Sequence, residues 1–194
     1  MMFRTALVSG LTAALLTAPA FAQQATSQAE AEATAPVVAA THADWQIICS
    51  PEVEGQPQQC EMYQLLEDSN NAPIAEISIA ALPLGAEFSA GATVTTPLET
   101  FLPTGMGFAI GNSEQMRVEG FRVCTVVGCV VRMGLSAEEI DQMKAGSSAT
   151  IRIAPFVAIN QPVDINVSLS GFTAAYDDLQ TRLAEAAAAA RSGQ

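Results

Sequence analysis

The sequence predicts a mostly β protein, a single-domain antiparallel β-sandwich with a short helix at about 136–146 and a C-terminal helix at about 172–188. Three observations predict it. From Asp44 onward, short apolar-alternating runs are punctuated by Gly, Pro and Asn. One of these runs, 163–169, alternates without a break, and two segments, one before it and one after, switch to helical spacing.

Two segments precede this pattern. Residues 1–22 carry Arg4, an apolar stretch from Ala6 to Leu16 and the small-residue site Ala20-Phe21-Ala22, the layout of a secretory signal peptide. Ser9, Gly10, Thr12 and Pro19 interrupt the stretch, whereas a membrane span needs about 20 consecutive apolar residues. Residues 23–42 are dominated by Ala, Gln, Thr and Glu, with no aromatic side chain to offset the entropy of ordering, and read as a flexible leader. The folded domain is then expected over 43–185, with a frayed tail at 186–194.

Within the domain, Trp45, Ile47 and Cys49 fit a first strand. Ile74, Ile77 and Ile79 mark another, although the step from 74 to 77 breaks a period of two. In 116–123 the apolar parity flips across Gly120, from Met116 and Val118 to Phe121 and Val123, and a β-bulge at that glycine would restore a common face. Ile151 and Ile153 fit a late strand ended by Pro155. Alternation in 163–169 puts Val163, Ile165, Val167 and Leu169 on one face and three polar side chains on the other. Ser136-Ala137-Glu138-Glu139 matches a capping box, and Gly146 supplies a stop. Phe172, Tyr176, Leu179 and Leu183 follow helical spacing.

Charge narrows the partners. The chain holds 8 basic and 20 acidic side chains, and removal of residues 1–22 takes one arginine and no acid, leaving a charge of −13. Binding to nucleic acid draws on clustered Lys and Arg, so nucleic acid is not an expected partner. Anionic lipid headgroups repel such a surface too, and no segment after residue 22 is long and apolar enough to span a bilayer.

Cys49, Cys60, Cys124 and Cys129 are an even number in an exported chain, which favours two structural disulfides. Three pairings are possible. The local one, 49 with 60 and 124 with 129, closes two hairpin-like connections. Zinc binding is the competing reading, but only Cys124 and Cys129 approach a metal-ligand spacing; a redox centre would need C-x-x-C beside a βαβ unit.

The chain offers little for catalysis. Its one histidine, His42, falls at the end of the leader, where a solvated linker residue is expected, so no Ser-His-Asp or Cys-His constellation is expected in the domain. The carboxylate pairs Glu67/Asp68, Glu138/Glu139 and Asp177/Asp178 are adjacent in sequence and do not stack on one face. No metal site or cofactor is expected, since Gly105, Gly107 and Gly111 miss the dinucleotide spacing and no calcium-loop pattern of acids occurs. Trp45 and Tyr63 are the candidate contact residues for a small ligand, a carbohydrate or a partner, with a core role the competing reading for Trp45.

Several stretches together resemble one family. These are Asp44-Trp45 shortly before Cys49, Gln59-Cys60-Glu61-Met62, Leu102-Pro103-Thr104-Gly105, Phe121-Arg122-Val123-Cys124 with Gly128-Cys129, and the terminal Val167-Ser168-Leu169-Ser170-Gly171-Phe172-Thr173-Ala174-Ala175. In this order, over roughly residues 43–176, the chain resembles the invasion-associated locus B (IalB) proteins of alphaproteobacteria. The resemblance implies an exported β-sandwich without enzymatic activity, periplasmic or surface-associated. Its partner would be an envelope or host-surface protein, serving host-cell invasion in some members and a general envelope role in others. A periplasmic small-ligand or carbohydrate-binding domain is the alternative, and a hydrolase built on converging carboxylates a third class. The chain departs from the family pattern at Thr125-Val126-Val127, where a more polar, turn-prone stretch is expected.

Overall fold

The described residues, 35–53, 56–68, 70–113 and 115–192 of this computed structural model, form eleven strands and two helices. Residues 1–22 and most of the expected leader lie outside them. β1 (Val37–His42), β2 (Trp45–Cys49), β3 (Cys60–Glu67), β4 (Pro73–Ala81) and β5 (Ala90–Thr96) join β8 (Phe121–Thr125) and β9 (Gly128–Leu135) in a seven-stranded sheet ordered β1-β2-β3-β4-β5-β9-β8. β6 (Met106–Ile110), β7 (Arg117–Glu119), β10 (Ser148–Ile153) and β11 (Val163–Ser168) form a four-stranded sheet ordered β11-β10-β6-β7. Neighbouring strands in both sheets are antiparallel.

The register explains the core. Ile47, Met62, Ile79, Ala92 and Met133 lie opposite one another in a row across five strands, and all five are buried. Phe108, Ile151 and Ile165 form the matching row of the smaller sheet, also buried. Period-two alternation on each strand thus supplies one inward face per sheet, and the two faces share one core. In β4 the inward positions are Ala75, Ile77 and Ile79, so Ala75 takes the place that the sequence pattern gives to Ile74. At the start of β11, Val163 is exposed, while Ile165, Val167 and Leu169 are buried as the alternation requires.

Helix α1 (Ala137–Ala145) begins with the expected capping box, Glu139 N–H donating to Ser136 Oγ and Ser136 N–H donating to Glu139 Oε2. Helix α2 (Phe172–Ser192) packs across β1 to β4. Phe172 meets Trp45 edge to face at 5.5 Å and stacks on Tyr176 at 6.0 Å. Beneath them lies a buried polar knot. Gln64 Nε2 donates to the carbonyls of Asp44 and Ser168, and its Oε1 accepts from Ser168 N–H at 2.9 Å, tying β3 to the β1–β2 turn and to the end of β11.

Three expectations are corrected. Residues 37–42 are strand β1, paired with β2 along its length, so the ordered domain begins inside the stretch read as a leader. β1 is an edge strand with both faces largely exposed, and it therefore needs no apolar alternation. Gly120 is no bulge: β7 before it belongs to the small sheet and β8 after it to the large one, so the parity flip marks a change of sheet. Helix α2 continues through the expected frayed tail to Ser192.

Both disulfides are local and directly cross-strand. Cys49 faces Cys60 across β2 and β3, and Cys124 faces Cys129 across β8 and β9, with Cα atoms 4.0 and 3.9 Å apart. They fasten the hairpins at opposite flanks of the seven-stranded sheet.

Candidate functional site

Three connections meet at one end of the sandwich, β5 to β6 (97–105), β8 to β9 (126–127) and β10 to β11 (154–162). The register places them there, because Thr96 lies opposite Cys129, Arg152 opposite Gly107 and Ile153 opposite Val163. Backbone bonds join the first connection to the third: Phe101 N–H donates to Ala154 O and Phe156 N–H to Glu99 O, each at 2.7 Å, and the Phe101 and Phe156 rings lie 6.4 Å apart. Thr96 joins it to the second, its hydroxyl donating to Cys129 O at 3.2 Å. There the Gly128 backbone packs so closely that an added Cβ would lie 2.4 Å from Thr96 O.

The side chains displayed at this end are apolar. Val126 and Val157 are 94% and 90% exposed, Val127 and Phe156 77% and 68%, and Leu98 and Ile159 are exposed beside them. Glu99 is the one charged side chain in the three connections. On a chain so rich in acid, this end carries a single charged side chain among protruding Val and Phe side chains. Sequence reading misses it, because loop valines look like core valines. The one signal is the replacement of a polar turn by Thr125-Val126-Val127.

Of the two candidate contact residues, Trp45 is fully buried and its indole N–H donates to Ser168 O at 2.9 Å. It presents no stacking face, since the inward parity of β2 commits it to the core. Tyr63 pairs with Glu76 on the opposite face of the same sheet, its hydroxyl donating to Oε2 at 3.0 Å. Burial and that carboxylate push the phenol up to about 12. Gln46 lies opposite Tyr63 in register, so Trp45 and Tyr63 face away from each other and the structure does not bring them together.

His42 is likewise corrected. It ends β1 half-buried, with Nε2 2.9 Å from Asp178 Oδ2 on α2, and no hydroxyl or thiol among the described residues bonds to its ring. Arg182 Nε donates to the other oxygen of Asp178 at 2.8 Å. Burial opposes ionisation of Asp178, but the bonds to His42 and Arg182 outweigh it and hold the carboxyl below its ordinary value. A lowered carboxyl pKa stabilises the fold above the unfolded value of about 3.9, and that contribution is lost as pH falls through the folded value. Thermal midpoints measured from neutral to acid pH should therefore show Asp178→Asn below wild type at neutral pH and converging with it as pH falls through the folded value of that carboxyl.

Three other carboxylates serve local structure. Glu139 caps α1 and receives Arg117 at 2.8 Å, Asp177 pairs with Lys144 at 2.7 Å, and Asp68 accepts from the N–H groups of Asn70 and Ala72 in its turn. Among the described residues no group of three or more His, Cys, Asp or Glu side chains converges as a metal site, and no helix is long and apolar enough to cross a membrane.

The family model of the invasion associated locus B (IalB) proteins matches residues 45–180. The chain belongs to this family. Among solved structures, the IalB chain is similar to the crystal structure of invasion associated protein B from Bartonella henselae. The TM-score is 0.65 at 20% identity, over 75% of this chain and 97% of that one. At that identity the likeness carries the IalB fold, two antiparallel sheets and two helices, and nothing finer. No curated protein matches the IalB chain.

Proposed function

We propose that this IalB-family chain is an exported, non-enzymatic interaction protein of the bacterial envelope, periplasmic or surface-associated, and that it engages a protein partner through the apolar end of the sandwich. The observation that carries the reading is the exposure of Val126, Val127, Phe156 and Val157 at this end, with the β5–β6 and β10–β11 connections fixed to each other by backbone bonds. A pre-shaped apolar surface binds without first ordering a loop, which lowers the entropic cost of association. Two disulfides and a signal-peptide-like start suit an oxidising compartment. The relative from Bartonella henselae, named for invasion, is compatible with a contact role.

The test is a cross-linking pull-down from the native cell envelope, with the mature oxidised protein beside a Val126→Asp/Val157→Asp double variant. One specific protein should be recovered with wild type and lost with the variant, whose thermal midpoint stays within about 2 °C because both positions are exposed. Recovery of nothing specific, or equal recovery with both proteins, would sink the reading. A separate observation, a mostly apolar groove between the C-terminal half of α2 and the Cys49–Cys60 disulfide, favours a small ligand as well.

A further inference from the structure

The apolar stripe of α2 changes size along its length. Phe172, Tyr176, Leu179 and Leu183 occupy it first, and Ala186 and Ala190 continue it at the same helical spacing. Phe172, Tyr176 and Leu179 are buried against the sheet. Where the stripe turns to alanine, a groove of about 590 Å3 opens between helix and sheet, with the Cys49–Cys60 disulfide and Ala81 on its other side. It is the space that larger stripe residues would fill. α2 still extends along it, since an Ala-rich sequence keeps helical order with little tertiary packing. β3 runs in the same sense as β5, so the start of β3, which lines this groove, lies at the opposite end from the three apolar connections.

We infer that this groove is a binding site for a single alkyl chain carrying an oxygen-acceptor head, as in a fatty acid or its glycerol ester. The volume falls within the range of about 300–1,000 Å3 usual for small-ligand sites. From Leu179 to Ala190 the helix advances about 16 Å, close to the extended length of a chain of about twelve carbons. The walls are mostly alanine, leucine and a disulfide, and of the polar residues Ser50, Gln58 and Gln59 that also line them, Gln58 Nε2 is spent on Ser50 O and Ser50 Oγ on Gln59 N–H, which suits an alkyl chain better than a sugar. Arg182 lines the groove, and its charge is balanced by Asp178, which takes one of its N–H donors. The remaining donors suit a carboxylate or an ester carbonyl. Glu61 also lines the groove and disfavours an anion placed beside it, so the head belongs at the Arg182 side.

Calorimetric titration of the mature, oxidised protein with dodecanoate and with monododecanoyl glycerol, each below its micelle concentration, tests this. Saturable one-to-one binding is expected for at least one of them, tightening about fourfold per methylene from the eight-carbon to the twelve-carbon chain. Ala186→Phe and Ala190→Phe, which fill the groove, should weaken binding at least tenfold without lowering the thermal midpoint. Arg182→Gln should weaken the acid more than the ester if a carboxylate is the head, and both alike if a carbonyl is. Absence of binding by both compounds, affinity independent of chain length, or undiminished binding by both filled variants would overturn the inference. The chain-length series, measured on the wild-type protein, remains decisive even if a filled variant folds poorly.

Discussion

Gly171→Ala should destabilise the protein by about 3–4 kcal/mol, read as a lower urea midpoint at unchanged slope. Gly171 sits at φ +82°, where a side chain is strained, and an added Cβ would lie 2.0 Å from the carbonyl oxygen of His42. That oxygen is backbone and cannot swing aside, so either β1 or the start of α2 must move. Moving either disturbs a connected set: Asp44 N–H donates to Ser170 O at 3.3 Å, Gln64 bridges Asp44 and Ser168, and Phe172 packs on Trp45. An unchanged midpoint would show that β1 yields freely, and the close approach would then carry little stability. The neighbouring Ser170→Ala serves as the control and should cost less than about 1 kcal/mol, since Ser170 is exposed and joins the set through its backbone.

The second large effect concerns the disulfides, which should contribute unequally. In the loop-entropy model the Cys49–Cys60 ring contributes about 3 kcal/mol and the Cys124–Cys129 ring about 2 kcal/mol. Core packing widens the gap, because Cys49 belongs to the core cluster and its removal opens space there, whereas Cys129, though buried, lies outside that cluster and Cys124 is exposed at the edge. Paired Cys→Ala variants followed by denaturant unfolding should show the 49/60 variant losing more. Under graded reductant, alkylation and mass spectrometry should find the 124–129 bond open first, since Cys124 is the accessible sulfur. The reverse order in either experiment would mean that β8 and β9 are held more tightly than their exposure implies.

Much of the fold is legible in the sequence where one residue type answers one physical need. Ser136 and Glu139 are spaced to satisfy each other's backbone, so α1 starts where the pattern puts it. Ile165 and Val167 alternate because one face of β11 is dry. The terminal Ser-Gly-Phe-Thr-Ala-Ala stretch acquires a cause in the structure: Gly171 permits close approach to His42, Phe172 and Ala175 are buried, and Thr173 Oγ1 donates to Lys144 O. What escapes the sequence depends on tertiary position. β1 has no alternation because an edge strand with two exposed faces needs none, and Gly120 shows a parity change without showing which sheet follows. The apolar end escapes for the same reason, since Val126 and Phe156 belong to residue types that usually lie inside, and only the folded chain shows them outside.

The order of the disulfides bears on how the molecule is made. Each cysteine is joined to the next one along the chain, first with second and third with fourth. If the chain is exported as proposed, it emerges N-terminus first into an oxidising compartment and presents Cys49 and Cys60 together well before Cys124 and Cys129. An oxidant that pairs thiols as they arrive therefore makes only native bonds, with no wrong pairing for an isomerase to undo.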